Sequence, residues 1–217
     1  MQTTTTDYLC VIEHLPAGAT LRLAGVSWDE YEEALSELGD RAGLRVSYDE
    51  GRLLIMSPTA EHEEYKDSIY SLVRLLAVET NAALETRGST TYRRRRKAKG
   101  VEPDASFYVQ NAARMIGKRR IDLEVDPPPD VVVEIDVSSE SLAKFPIYAA
   151  LGVPEIWLYD GQQARMHELA EETYRETPHS LAFPMLTSAA LTDFLDQSKT
   201  SGQSAALATF RQRLSAR

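Results

Sequence analysis

The alternation of apolar and polar positions is clearest between Pro127 and Asp160. At its centre, Val131-Val132-Val133-Glu134-Ile135-Asp136-Val137 is rich in β-branched residues and follows three prolines. That composition predicts a buried strand. Side chains alternate across a strand, so Val131, Val133, Ile135 and Val137 share one face, and Val132, Glu134 and Asp136 share the other. Two carboxylates about 7 Å apart then lie along a strand that otherwise belongs in a core. Buried carboxylates are paired or bind metal. Lys144 follows just past a serine-rich turn, so two acids and a lysine form a candidate metal-dependent hydrolytic site. An edge strand turning both acids to water would account for the same residues.

The rest of the chain surrounds this strand. Ser27 and Glu30 form a capping box for a helix running to Leu38, with Gly39 as its stop. Leu44 to Met56 reads as a β-hairpin turning at Asp49-Glu50-Gly51. A long helical pattern covers Glu61 to Leu84, with a stripe at Ile69, Leu72, Val73 and Leu76. His62 shares that inward stripe and is a secondary site candidate, and Glu63 or Glu64 could add an acid. Leu84 to Tyr92 and Val101 to Val109 read as strands, the latter carrying Asp104 at its start. Asn111 to Asp126 reads as a connecting loop. A helix beginning near Lys144, with Pro146 in its first turn, stops at Gly152. Glu155–Tyr159, Ala164–Leu169 and Thr173–Glu176 read as strands. The β-helix-β order favours a parallel pair. Two helices are expected over Ser188–Asp196 and Ala205–Leu214, with a linker over 198–204. The expected organisation is a lead-in over 1–26, one α/β domain over 27–180 and a helical extension over 181–217.

Composition narrows the function. The 217 residues are 43% hydrophobic and 26% charged, ordinary for a soluble globular protein. No apolar run reaches membrane-spanning length and no signal sequence opens the chain, so a cytoplasmic protein with no membrane partner is expected. The lone cysteine, Cys10, excludes a disulfide framework and a cysteine-cluster metal site. Neither Cys10 nor any of the four histidines sits in a recognisable nucleophile motif. The net charge of −9 argues against bulk attraction to nucleic acid. Positive charge is concentrated in one run, Arg93, Arg94, Arg95, Arg96 and Lys97, which reads either as a phosphate-binding segment or as a solvated loop.

Several of these segments resemble one bacterial family. Pro129-Asp130-Val131-Val132-Val133-Glu134-Ile135, then Lys144, then Tyr148-Ala149-Ala150-Leu151-Gly152-Val153-Pro154-Glu155-Ile156-Trp157, is similar to the Uma-two family. Pro103-Asp104, Ser57-Pro58 and His62 also fit. That family looks like part of the restriction-endonuclease-like, PD-(D/E)XK superfamily. The resemblance implies an α/β fold with a mixed central β-sheet flanked by helices. It also implies a nuclease acting on DNA with Mg²⁺ or Mn²⁺, and homodimerisation as a habit of the superfamily. Asp104 matches the acid of the Pro-Asp motif and Glu134 the second acid. The motif lysine is due two positions after Glu134, where Asp136 stands. Lys144 is then the candidate for a lysine that has migrated to the adjacent helix, and Asp136 would add a third metal-facing carboxylate. The competing reading is an inactive nuclease-like fold that binds nucleic acid or a protein partner, because fold alone does not fix function.

Overall fold

The structure, a computed structural model, describes residues 12, 14–39, 43–88, 90–137 and 141–215. The expectations for Cys10, for the N-terminal threonines and for the serines at 138 and 139 fall outside these residues. In chain order the elements are β1 (Thr20–Ala24), α1 (Trp28–Leu38), β2 (Arg45–Asp49), β3 (Arg52–Met56), α2 (Ala60–Glu79), β4 (Glu85–Thr86), β5 (Tyr92–Arg94) and β6 (Lys99–Val101). Then come β7 (Ala105–Tyr108), α3 (Ala112–Met115), β8 (Val131–Ile135), α4 (Phe145–Leu151), β9 (Glu155–Tyr159), β10 (Ala164–Ala170), β11 (Thr173–Thr177), α5 (Ser188–Ser201) and α6 (Gln203–Ser215).

The expected mixed central sheet is present as six strands in the order β11-β10-β9-β8-β7-β4. Only β8 and β9 in it run parallel, pairing Val131 with Glu155 and Ile135 with Tyr159. The crossover between them is α4, as the β-helix-β order requires. Alternation places Val131, Val133 and Ile135 in a core shared with α2, α5 and α6. Val132 faces a second core with Tyr148, Leu151 and Ile156. Both faces are covered, so β8 is a central strand and Glu134 cannot turn to water.

A second, five-stranded antiparallel sheet, β1-β3-β2-β6-β5, was not foreseen as a unit. One face carries Val46, Tyr48, Leu53 and Ile55 against Tyr31 and Leu38 of α1. The other presents Tyr92 and Val101 to Ile147, Tyr148 and Leu151 of α4. Helix α4 is thus wedged between the two sheets. Its C-terminus is closed by Gly152 in the left-handed region, at φ 80°, a conformation that glycine adopts without a Cβ clash.

Several boundaries differ from expectation. The strand read over Val101–Val109 is divided between the sheets: Val101 ends β6 in the five-stranded sheet, and Ala105–Tyr108 form β7 in the six-stranded one. β1 lies inside the stretch read as a lead-in and pairs along its whole length with β3. Helix α2 stops at Glu79, because Asn81 takes a positive φ of 51°. Only Glu85 and Thr86 then form a strand, and the chain crosses to the other sheet. The loop over 111–126 contains the short helix α3. The stretch read as a linker over 198–204 is helical up to Ser201 and is broken only at Gly202. Ser198 and Thr200 donate their hydroxyls to the carbonyls of Phe194 and Asp196, which keeps these polar residues inside the helix. Among the described residues, no helix is long and apolar enough to cross a membrane.

Candidate active site

The site forms where β7 and β8 diverge beneath α4. Asp104 lies one residue before β7, and its N–H donates to Val133 O at 3.1 Å. The carboxylate then takes up bonds that the ending ladder leaves open. Ile135 N–H donates to Asp104 Oδ2 at 2.8 Å, and Arg45 Nε donates to Oδ1 at 3.2 Å. His62 Nε2 lies 3.0 Å from Oδ2. Its position follows from the Thr59 N-cap, which accepts from the His62 N–H and fixes the first turn of α2 over the strand ends. Arg45 comes from β2 in the other sheet and also donates to Glu63 Oε1 at 3.0 Å.

Glu134 is fully buried on β8. Lys144 Nζ donates to its Oε2 at 2.7 Å, and the Tyr148 hydroxyl donates to its Oε1. Lys144 closes the turn that leads into α4, and Tyr148 follows within that helix. The spacing of four residues stacks the two side chains on one helix face, directed at one carboxylate. Pro146 stands in the first turn of α4, where its fixed φ suits the start of a helix.

The two acids respond differently to burial. Burial pushes the Glu134 carboxyl up; Lys144 opposes it, but the neighbouring negative charge of Asp104 reinforces it. Burial would also raise Asp104, yet His62, the charge of Lys144 and the Ile135 N–H outweigh it and hold Asp104 below its ordinary value. Two nearby carboxyls thus separate into one that ionises readily and one that ionises reluctantly. Burial favours the neutral form of Lys144, but Glu134 and Asp104 overcome it and keep the ammonium charged. A buried cation bonded to one carboxylate and within the field of a second can meet anionic oxygen on a substrate.

The structure therefore gathers Asp104, Glu134, Lys144 and His62 in one place. Asp136 follows the last residue of β8, where it is half-buried and its N–H donates to Tyr159 O at 2.7 Å. Among the described residues, no group of three or more acids, histidines or cysteines is gathered closely enough to hold a metal ion. The three-carboxylate arrangement expected of Asp104, Glu134 and Asp136 is thus not assembled; strand β8 ends before Asp136.

The basic run lies elsewhere. Arg93 and Arg94 end β5, and Arg95–Lys97 form a 3-10 turn into β6. Arg93 pairs with Glu32, Arg95 with Asp29 and Arg96 with Glu124, while Arg94 and Lys97 donate to the carbonyls of Leu123 and Ala150. Ala150 is six residues along the chain from Lys144, so this turn meets α4 about 9 Å along the helix from Lys144.

Sequence reading did not single out Arg45 or Tyr148. Tyr148 had a usable signal, since it stands four residues after Lys144 on a short helix. Arg45 had none, because its target lies 59 residues away in the other sheet.

No curated protein sequence matches this chain. A crystal structure described as "a putative nuclease belonging to DUF820" from Anabaena variabilis superposes on 69% of this chain and 90% of that one, with 18% identity and a TM-score of 0.46. Residues 28–197 match the family described as "Uma2: Putative restriction endonuclease", well over half of the sequence, and the chain belongs to that family.

Proposed function

We propose that this protein is an endonuclease that hydrolyses phosphodiester bonds in DNA with the help of Mg²⁺ or Mn²⁺. The observation that carries this reading is the pair of buried carboxylates, Asp104 and Glu134, bonded to buried Arg45 and Lys144 at the end of a central strand. Asp104 and Glu134 would hold the cation. Their oxygens suit a hard ion that binds one or two carboxylates and completes its shell with water and substrate phosphate rather than with an all-protein cage. When bound, such an ion lowers the pKa of a water and offsets charge on the phosphate.

The protein's own groups supply the rest. Lys144, kept cationic by both carboxylates, stabilises phosphate oxygens or orients the attacking water. It occupies the role left open by Asp136. Arg45 and the Ile135 N–H hold Asp104 in place, and Tyr148 does the same for Glu134. His62 touches Asp104 from the start of α2 and helps keep it ionised. Arg93 to Lys97 would grip flanking backbone, since exposed ion pairs are worth little and exchange readily for phosphates.

Supercoiled plasmid and single-stranded DNA, incubated with Mg²⁺, Mn²⁺ or EDTA, test the reading. Wild type should cleave only with metal, and Glu134→Ala and Asp104→Ala should not cleave while remaining folded by circular dichroism. Full activity in a folded Glu134→Ala variant would sink the assignment. The second reading, an inactive module that binds nucleic acid, is favoured by one observation. Both oxygens of each carboxylate already have protein partners. DNA binding that is unchanged by EDTA, with no cleavage under any metal, would establish it.

A further inference from the structure

Beside the acids is a cavity of about 330 Å³ that the chemistry above does not use. Its floor is the part of the α4-facing side of the five-stranded sheet that lies beyond α4, on β1, β3 and β2. Register places Arg22, Leu54 and Ser47 side by side on that face, with Met56 one step along. Its far wall is the start of α4, through Lys144 and Ile147. Lys144 therefore belongs to both places: it lines the cavity and donates to Glu134.

The walls indicate what fits. Leu54, Met56 and Ile147 are apolar, and Ser47 supplies a hydroxyl between them. The volume lies at the lower end of the range of about 300–1,000 Å³ typical of small-molecule sites, which are apolar with a few placed polar groups. The rim is cationic. Arg22 is exposed and forms no ion pair among the described residues, and Arg52 is 74% exposed. The one acid in the lining, Asp49, is already bonded to Lys99 and Arg52. An occupant with an apolar body and an anionic group reaching Lys144 matches this distribution of charge.

We propose that the cavity seats the base and sugar of the nucleotide next to the phosphate held at Lys144. This rests on the nuclease reading and adds a substrate class to it. A base stacked within a duplex cannot enter a walled cavity without leaving the stack, and unstacking costs least in mismatched or single-stranded DNA. The preferred substrate is therefore single-stranded or locally unpaired DNA.

The test is binding of the 5′-monophosphate of 2-aminopurine deoxyriboside, followed by its fluorescence anisotropy in EDTA, with inorganic phosphate as competitor. Wild type should bind the nucleotide at least roughly tenfold more tightly than phosphate. Leu54→Trp, which fills the cavity, should lose that advantage and keep its affinity for phosphate. Ala24→Trp fills it from the exposed rim and serves if Leu54→Trp does not fold. Equal affinity for nucleotide and phosphate in wild type would overturn the proposal. So would unchanged nucleotide binding in a folded cavity-filled variant. Metal-dependent cleavage is measured on the same proteins. If it is absent while the nucleotide binds, the nuclease reading fails and the subsite stands. If it is present and indifferent to Leu54→Trp on single-stranded DNA, the subsite fails and the nuclease reading stands.

Discussion

Two fully buried glutamates sit on neighbouring parallel strands, and they serve opposite ends. Glu155 opens β9 opposite Val131, and Glu134 lies three residues further along the pair, opposite Leu158. Burial pushes both carboxyls up. What separates them is their partners. Among the described residues Glu155 accepts from neutral groups: Trp157 Nε1 at 2.6 Å, Ala182 N–H at 3.0 Å and Ser180 Oγ at 3.2 Å. It ties the segment after β11 onto the sheet. Glu134 is held by an ammonium and a phenol, with a second carboxyl close enough to raise it further. It also lies at the C-terminal end of its strand, where open α/β sheets place their ligands, whereas Glu155 lies at the N-terminal end of its own. A buried acid with a raised pKa is therefore not by itself a site. A buried acid with a cation and a second acid beside it is the stronger candidate.

The sharpest way to break this contrast is to neutralise each acid in turn. Glu134→Gln should lower plasmid cleavage by roughly 10³-fold, the scale of removing one electrostatic contributor at a reacting centre. Glu155→Gln should cleave within about threefold of wild type. Equal losses in the two variants would mean that both acids act through the fold alone.

Stability should show the reverse. Glu155→Ala leaves the Trp157, Ser180 and Ala182 donors buried without an acceptor, and each such group costs about 1–3 kcal/mol. A loss of about 3 kcal/mol in urea unfolding is expected, with cleavage per folded molecule retained. A variant as stable as wild type would remove the structural role assigned to Glu155.

A smaller effect tests how Glu134 is positioned. Tyr148→Phe deletes one of the two bonds to its carboxylate, at about 1 kcal/mol of stability. Turnover should fall about tenfold with KM nearly unchanged, as for an interaction made in the transition state. The Tyr148 bond also favours ionised Glu134, so its loss should move the acid limb of the pH–rate profile to higher pH. A purely structural tyrosine would leave that limb where it was.

The legible parts of this protein were those written in short stretches. The β-branched run around Glu134 declared a strand, though an edge strand fitted it as well as a buried one, and Lys144 with Pro146 declared the start of a helix. The Gly-Val-Pro-Glu-Ile-Trp segment marked its return. The structure gives that segment a cause: Gly152 caps α4, and Glu155 accepts the indole N–H of Trp157 two residues on. The hidden parts depended on distant pairing. β6 meets β2 about fifty residues away in sequence, with Lys99 opposite Asp49, so the second sheet had no local signature. Arg45 reads as an ordinary polar position until that sheet brings it to Asp104. β1 did carry a signal, since Thr20 to Ala24 alternates. It is only five residues long and lay within the stretch read as a lead-in.

The smallest effect sharpens the comparison through pH. A carboxyl whose folded value is raised contributes stability that is fully present below its ordinary value, 4.5 for glutamate, and is lost as pH rises through the folded value. Glu155→Gln removes that dependence and leaves Asp104, Glu134 and Lys144 in place. Asp104 has the opposite sign, because its lowered value means stability lost as pH falls, but this acts equally in both proteins and cancels. The difference in unfolding free energy between wild type and Glu155→Gln should therefore move in favour of wild type as pH falls from about 8 to about 5, by at most about 1.4 kcal/mol per pH unit. Urea titrations at each pH measure it. A difference that is flat, or that moves the other way, would mean that Glu155 ionises freely inside the fold. Its neutral partners would then be as effective as Lys144 in holding a charge, and the distinction between the two glutamates would collapse.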